Sequence, residues 1–132
     1  MFLPNRLVIL CVDDEPNLLM LRQLLLSLAG YNVLTATEAA SAMEIFASGH
    51  VDLVITDQLL PGRSGTELAS AMKLLKPEVP IILFTGLPDL PAGAEHIDLL
   101  LTKGISPAEF LAAIEKTISR NRKSKAANTS GG

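Results

Sequence analysis

The sequence predicts an α/β fold: a doubly wound, five-stranded parallel sheet with helices on both faces. Three observations predict it. Five short apolar runs, several rich in β-branched residues, read as strands, and segments of helical period lie between most of them. The first, third and fourth runs are nearly continuous in apolar residues instead of alternating with polar ones, as expected of strands covered on both faces. The segments between them are long enough for the crossovers that parallel strands need. A chain of 132 residues with 48% hydrophobic content can bury one such core and is too apolar for disorder.

Leu7–Val12 is the first strand. Pro16 opens the first helix, where its missing N–H costs nothing. Leu18, Leu21, Leu25 and Leu28 then step by three and four along one face, and Gly30 ends the helix. Tyr31–Ala36 is the second strand. Thr35 and Thr37 offer N-caps to the second helix, whose stripe includes Ala39, Met43 and Phe46 and which Gly49 closes. Leu53–Thr56 is the third strand, and Pro61-Gly62 beyond it is a turn signal. Ser64-Gly65-Thr66-Glu67 has capping-box spacing and starts a third helix with Leu68, Met72 and Leu75 inward. Pro77 and Pro80 end it, and Ile81–Phe84 is the fourth strand. Pro88, Pro91 and Gly93 stand where a fourth crossover helix would lie. That helix should be shortened or irregular, a turn or two near residues 92–96. Leu99–Leu101 is the fifth strand. Ser106-Pro107-Ala108-Glu109 is a second capping box, opening a last helix that carries Phe110 or Leu111, then Ile114 and Ile118. Residues 1–122 read as one domain and the polar, basic residues 123–132 as a disordered tail.

The net charge is −3, unevenly spread. Lys116, Arg120, Arg122, Lys123 and Lys125 lie in the last seventeen residues, which hold no acid; residues 1–115 carry six basic and fourteen acidic side chains. An acidic body suits a cation site and argues against a nucleic-acid-binding surface there. The lone Cys11 excludes an internal disulfide and points to a reducing cytoplasm; inside an apolar strand it reads as a small buried hydrophobe. The N-terminal apolar run is too short for the core of a signal peptide, and no run reaches membrane-spanning length. His50 and His96 read as surface histidines with no second ligand beside them.

In an open parallel sheet, ligands bind outside the carboxyl ends of the strands. Asp13-Asp14-Glu15 follow the first strand, Asp57 the third, Thr85 the fourth and Lys103 the fifth. Right-handed crossovers leave few arrangements. Strand order 2-1-3-4-5 sets strands one and three side by side at a topological switch point, where Asp13, Asp14 and Asp57 would meet. Such a cluster repels itself at low dielectric. A hard cation would neutralise it, and oxygen ligands with open water positions suit Mg²⁺. The same edge holds a carboxylate able to attack phosphorus, and a hydroxyl and an ammonium able to bind phosphoryl oxygens. Taken singly, Asp13 and Asp14 would be N-terminal helix acids, Thr85 a turn residue, Lys103 a solvated lysine and Glu15 a solvated acid. Taken together on one edge they point to phosphoryl transfer.

Val12-Asp13-Asp14-Glu15, then Asp57-Gln58-Leu59-Leu60-Pro61-Gly62 with Gly65, then Thr85 and Lys103 resemble the receiver domain of two-component response regulators. The resemblance covers about residues 5–122 and implies the flavodoxin-like 2-1-3-4-5 sheet. It implies that Asp57 is the phosphoacceptor. Asp14 and Asp57 would ligate Mg²⁺ (or Mn²⁺) directly, with Asp13 helping partly through water and the Leu59 backbone carbonyl as a further ligand. Thr85 would bond a phosphoryl oxygen, and Lys103 would pair with the phosphoryl group. The donor would be a phosphohistidine on a histidine kinase or phosphotransfer protein, or a small acyl phosphate. Transfer would be self-catalysed and reset by hydrolysis, with no other enzyme activity. The expected protein is a cytoplasmic monomer or weak dimer that signals through a protein partner, without membrane or direct nucleic-acid binding. Leu59 and Leu87 would flank the phosphoryl group and restrict the attacking water.

Three features depart from that pattern. Leu100 replaces the aromatic residue usual three positions before the lysine, and Gly104 replaces the proline that usually follows it in a cis peptide. The segment from Thr85 to Lys103 is short and broken by prolines. All three fall on the surface that relatives use for output. The main alternative is therefore a pseudo-receiver, a phosphorylation-independent binding module, which need not bind Mg²⁺. A flavodoxin would need a hydroxyl- and glycine-rich phosphate loop where Asp13-Asp14-Glu15 stand. A haloacid-dehalogenase-type phosphatase would place its two aspartates two residues apart, whereas Asp13 and Asp14 are adjacent.

Overall fold

The computed structural model describes residues 6–86 and 91–130, with side chains through residue 123. Strands β1 (Val8–Val12), β2 (Asn32–Ala36), β3 (Leu53–Thr56), β4 (Ile81–Thr85) and β5 (Leu99–Thr102) form one sheet in the order β2-β1-β3-β4-β5. Every pairing is parallel. This is the order expected from the sequence. Helices α1 (Pro16–Leu28), α2 (Ala39–Ser48), α3 (Gly65–Leu75) and α4 (Pro107–Ser130) complete the fold.

Alternation along the strands divides the core in two. Ile9 and Cys11 of β1, with Ile55, Ile82 and Phe84, pack against Leu19 and Leu26 of α1 and Phe110, Ile114 and Ile118 of α4. Leu10 and Val12, with Val54 and Ile81, pack against Phe46 of α2 and Leu68 and Met72 of α3. Both faces of the sheet are thus covered at its centre, which is why β1, β3 and β4 are apolar at successive positions, whereas the edge strand β2 alternates with exposed residues. Both predicted capping boxes form. Ser64 Oγ accepts from Glu67 N at 3.2 Å and Glu67 Oε1 from Ser64 N at 3.0 Å. Ser106 and Glu109 repeat the exchange at 3.1 and 3.2 Å. The β4–β5 crossover holds a single 3₁₀ turn, Ala94–His96, among its described residues, as its prolines and Gly93 lead one to expect; Pro88 lies outside them.

The structure corrects the sequence reading in four places. In α1 the buried residues are Leu19, Arg22 and Leu26, while Leu18, Leu21 and Leu28 are 41%, 64% and 78% exposed. Leucine recurs so densely in this helix that several stripes of helical period coexist, and apolarity alone does not choose among them. The choice falls on the stripe whose charged member, Arg22, has a buried partner. In α2, Ala42 is buried and Met43 only half so. Neither Thr35 nor Thr37 caps it: Thr35 lies inside β2, and the N-cap is Glu38, with no side-chain cap bond. Leu75, at the end of α3, is 51% exposed. Finally, α4 runs to Ser130, where the sequence suggests a disordered tail from residue 123. Residues 123–130 hold no glycine or proline, and their lysines and paired alanines favour the helix. Among the described residues no helix is long and apolar enough to cross a membrane.

Candidate functional site at the carboxyl edge of the sheet

β1 and β3 are neighbours with Val12 opposite Thr56. The residues that follow them therefore emerge side by side. Asp57 N donates to the Val12 carbonyl at 3.0 Å and Asp13 N to the Ala36 carbonyl at 3.1 Å, so the sheet ladder itself fixes both backbones. Asp14 follows at the exposed rim. One carboxylate oxygen from each of Asp13, Asp14 and Asp57 lies within 4.8 Å of the others. Asp13 is fully buried and Asp57 nearly so.

Lys103, just past β5, reaches back across the edge. Its Nζ donates to Asp57 Oδ2 at 2.8 Å and to Asp13 Oδ2 at 3.2 Å. Asp57 Oδ1 accepts from the backbone N–H groups of Gln58 at 2.7 Å and Leu59 at 3.5 Å. Thr85 is the buried last residue of β4, and its carbonyl accepts from Lys103 N at 3.0 Å, tying the ends of β4 and β5 together. Leu59 sits in the loop after Asp57 with its side chain 64% exposed. Leu87 lies outside the described residues. Glu15 is exposed and caps α1 by accepting from Asn17 N at 3.3 Å. Leu100 is half-buried, and no described peptide is cis, so the Lys103–Gly104 bond is trans.

The loop after Asp57 is pinned to the start of α3. Gln58 Oε1 accepts from Thr66 N at 3.0 Å, and Gly65 N donates to the Gln58 carbonyl at 2.9 Å. The approach is so close that a Cβ on Gly65 would collide with the Asp57 carbonyl oxygen and Leu83 Cδ1.

Sequence reasoning missed one member of the site. Arg22 is 7% exposed, and its Nη2 donates to Asp13 Oδ2 at 2.7 Å. Its guanidinium carbon lies 4.6 Å from the centroid of the Phe84 ring. The available signal was a charge at i+3 within the stripe Leu19, Arg22, Leu26, a place where a lone arginine needs a partner.

Burial pushes the Asp13 carboxyl up, but the Glu15 N–H, the Arg22 guanidinium and the Lys103 ammonium outweigh it and hold the group below its ordinary value. Asp13 is therefore a carboxylate at neutral pH. Burial pushes the Cys11 thiol up to about 12, although Arg22 pulls it down; Cys11 is a protonated core residue and not a nucleophile. Three carboxylates thus face two cations, which leaves an excess of negative charge at the rim around Asp14. The donor set is all oxygen, as hard cations prefer. Its spread is close to the roughly 4 Å between opposite oxygens around Mg²⁺. The residues fit such an ion.

A parallel sheet carrying acids after β1 and β3 and a lysine after β5 defines a receiver-type signalling module. The chain matches the response regulator receiver domain family over residues 9–115 and belongs to that family. Among solved structures, it resembles the signal receiver domain of an HD domain-containing protein from Pseudomonas fluorescens Pf-5, with 31% identity and a TM-score of 0.86 over 96% of each chain. It also resembles the response regulator TrrA of Thermotoga maritima in complex with Mg²⁺ and BeF, with 34% identity and a TM-score of 0.80 over 83% of this chain and 97% of that one. Among curated relatives, the phosphate regulon transcriptional regulatory protein PhoB of Pseudomonas aeruginosa is 34% identical over 85% of this chain and 52% of its own length. The chain spans about a quarter to a half of the length of the transcriptional regulators it matches.

Proposed function

We propose that this chain is a phosphoacceptor receiver in a two-component phosphorelay, taking a phosphoryl group onto Asp57. The observation that carries the reading is the Lys103 ammonium 2.8 Å from Asp57 Oδ2, beside the oxygens of Asp13 and Asp14. The donor is a phosphohistidine of a histidine kinase or phosphotransfer protein, or a small acyl phosphate. An Asp57 carboxylate oxygen attacks phosphorus, the new O–P bond forms, and the P–N or P–O bond to the donor breaks with its electron pair leaving on the donor. Asp14 and Asp57, with Asp13 and the Leu59 carbonyl, would hold Mg²⁺ (or Mn²⁺), which supplies neutralisation of the charge on the transferring oxygens. The Gln58 N–H holds Asp57 Oδ1 in place, Lys103 offsets the incoming negative charge, and the Thr85 hydroxyl binds a phosphoryl oxygen. Signalling then follows from altered binding of a protein partner in the cytoplasm.

The test is intact-mass spectrometry after incubation with acetyl phosphate and Mg²⁺. The protein is expected to gain one phosphoryl group, and the gain is expected to vanish in Asp57→Ala and on chelation. A folded protein that gains nothing from acetyl phosphate or from phosphohistidine donors would instead be a phosphorylation-independent binding module. Leu59 bears on the reverse reaction. It lies two residues past the acceptor, with its backbone N–H 3.5 Å from Asp57 Oδ1 and its apolar side chain largely exposed, so Leu59→Asn is expected to shorten the half-life of the phosphorylated protein severalfold by admitting and orienting water. An unchanged decay curve would remove Leu59 from that role.

A further inference from the structure

We propose that Arg22 is a fixed counter-ion that sets how weakly the acid pocket holds its divalent cation. The inference rests on the pocket being the cation site of a phosphoacceptor. The two oxygens of Asp13 have different partners. Oδ1 accepts from Glu15 N at 2.9 Å. Oδ2 accepts from Arg22 Nη2 at 2.7 Å and from Lys103 Nζ at 3.2 Å.

These two cations differ in freedom. Lys103 has a flexible stem, a side chain 24% exposed, and a second partner in Asp57, so it can leave Asp13 when a cation or phosphoryl group arrives. Arg22 cannot. Its side chain is 8% exposed, and its planar head lies over Phe84, whose ring stacks on Phe110 with centroids 5.0 Å apart. Packing from α1, β4 and α4 therefore fixes this charge behind Asp13. An arginine present only to satisfy Asp13 would offer both arms of its fork to the carboxylate. Here Nη1 is buried and finds no hydrogen-bond partner among the described residues. The arrangement favours the position of the charge over complete pairing of the head group.

The consequence follows from Coulomb's law. A guanidinium held on Asp13 Oδ2 cancels much of that carboxylate's attraction for a dication and keeps the oxygen from direct coordination. The strong ligands are then Asp14 and Asp57. With Arg22 and Lys103 offsetting two of its three carboxylates, the pocket stays folded without its ion, and it releases the ion readily. Removing the positive charge should tighten binding, the opposite of what loss of a purely structural residue would do.

The experiment is calorimetric titration of Mg²⁺ into the full chain at fixed ionic strength, with a thermal melt of each variant. Arg22→Leu fills the space with an apolar side chain. Arg22→Gln is neutral but can still donate to Asp13, and it carries the test if Arg22→Leu does not fold. Both are expected to bind Mg²⁺ about tenfold more tightly than the natural protein. Arg22→Lys, which keeps the charge, is expected to stay within about threefold of it. Unchanged or weaker binding by a folded neutral variant overturns the proposal, even if its melting temperature falls. Asp14→Asn tests the cation site separately from the role of Arg22. If the natural protein binds Mg²⁺ and Asp14→Asn does not, the cation site stands, and a null result with Arg22 overturns only the role of Arg22. If the natural protein binds no Mg²⁺, both fall.

Discussion

Lys103→Met is expected to slow phosphoryl incorporation from acetyl phosphate by about a hundredfold while Mg²⁺ binding persists. Methionine keeps the length and apolar stem of lysine and removes only the charge and its donors. That charge bridges Asp57 Oδ2 at 2.8 Å and Asp13 Oδ2 at 3.2 Å. Two consequences pull in opposite directions. Without the ammonium the carboxylates attract a dication more strongly, so binding of the ion does not suffer. An incoming phosphoryl group, however, would lose a donor that lies 2.8 Å from an Asp57 carboxylate oxygen. Removing one preorganised donor from a site sheltered from water typically costs two to three orders of magnitude in rate, roughly 3–4 kcal/mol. The losing alternative is that Lys103 serves only as a staple between two buried acids. In that case a bound cation would replace it, and the rate at saturating Mg²⁺ would fall by less than about threefold. Initial rates by intact mass at saturating Mg²⁺ distinguish the two outcomes.

The legible parts of this protein were those encoded locally. Asp57 and Asp13 could be placed because an apolar strand announces where it ends, and because parallel neighbours in this topology bring their carboxyl ends to one edge. Both capping boxes were visible because their chemistry is confined to four consecutive residues. The face of α1 was not legible, because seven leucines in thirteen residues give no single moment. What selects Leu19, Arg22 and Leu26 is an ion pair nine residues back in the chain, at Asp13. A charged side chain is placed at the surface by default, and nothing in the local pattern says that this one has a partner inside. Once paired, it is a strong constraint: deleting one member of a buried pair leaves the other uncompensated, at a cost of about 3–5 kcal/mol. The length of α4 escaped for the converse reason. Polar, basic composition reads as a tail, yet backbone propensity alone allows the helix to continue to Ser130.

Gly65→Ala is expected to destabilise the fold by about 3 kcal/mol, and Gly104→Ala to change it by less than about 0.5 kcal/mol. Gly65 opens α3 and Gly104 follows β5 by two residues, and nothing in the sequence says how crowded either position is. Their surroundings differ. No heavy atom lies within 4 Å of the place a Cβ on Gly104 would occupy. A Cβ on Gly65 would meet the Asp57 carbonyl oxygen and come within 2.9 Å of Leu83 Cδ1. Neither obstacle yields easily. Leu83 is fully buried in β4, and the Asp57 carbonyl is also held by Thr56 Oγ1 at 2.9 Å. Relief must come from shifting the start of α3 or the peptide between Asp57 and Gln58. That peptide carries the N–H bonded to Asp57 Oδ1 at 2.7 Å, so stability and phosphoryl acceptance should decline together. For a chain of this size the loss corresponds to a fall of roughly 10 °C in Tm. Thermal melts of the two variants, followed by acetyl phosphate labelling of the surviving folded protein, read both effects. Equal melting temperatures would show that α3 does not in fact press on the acceptor loop. A destabilised Gly65→Ala that labels at the natural rate would show that the clash is absorbed by α3 and not by the peptide that orients Asp57.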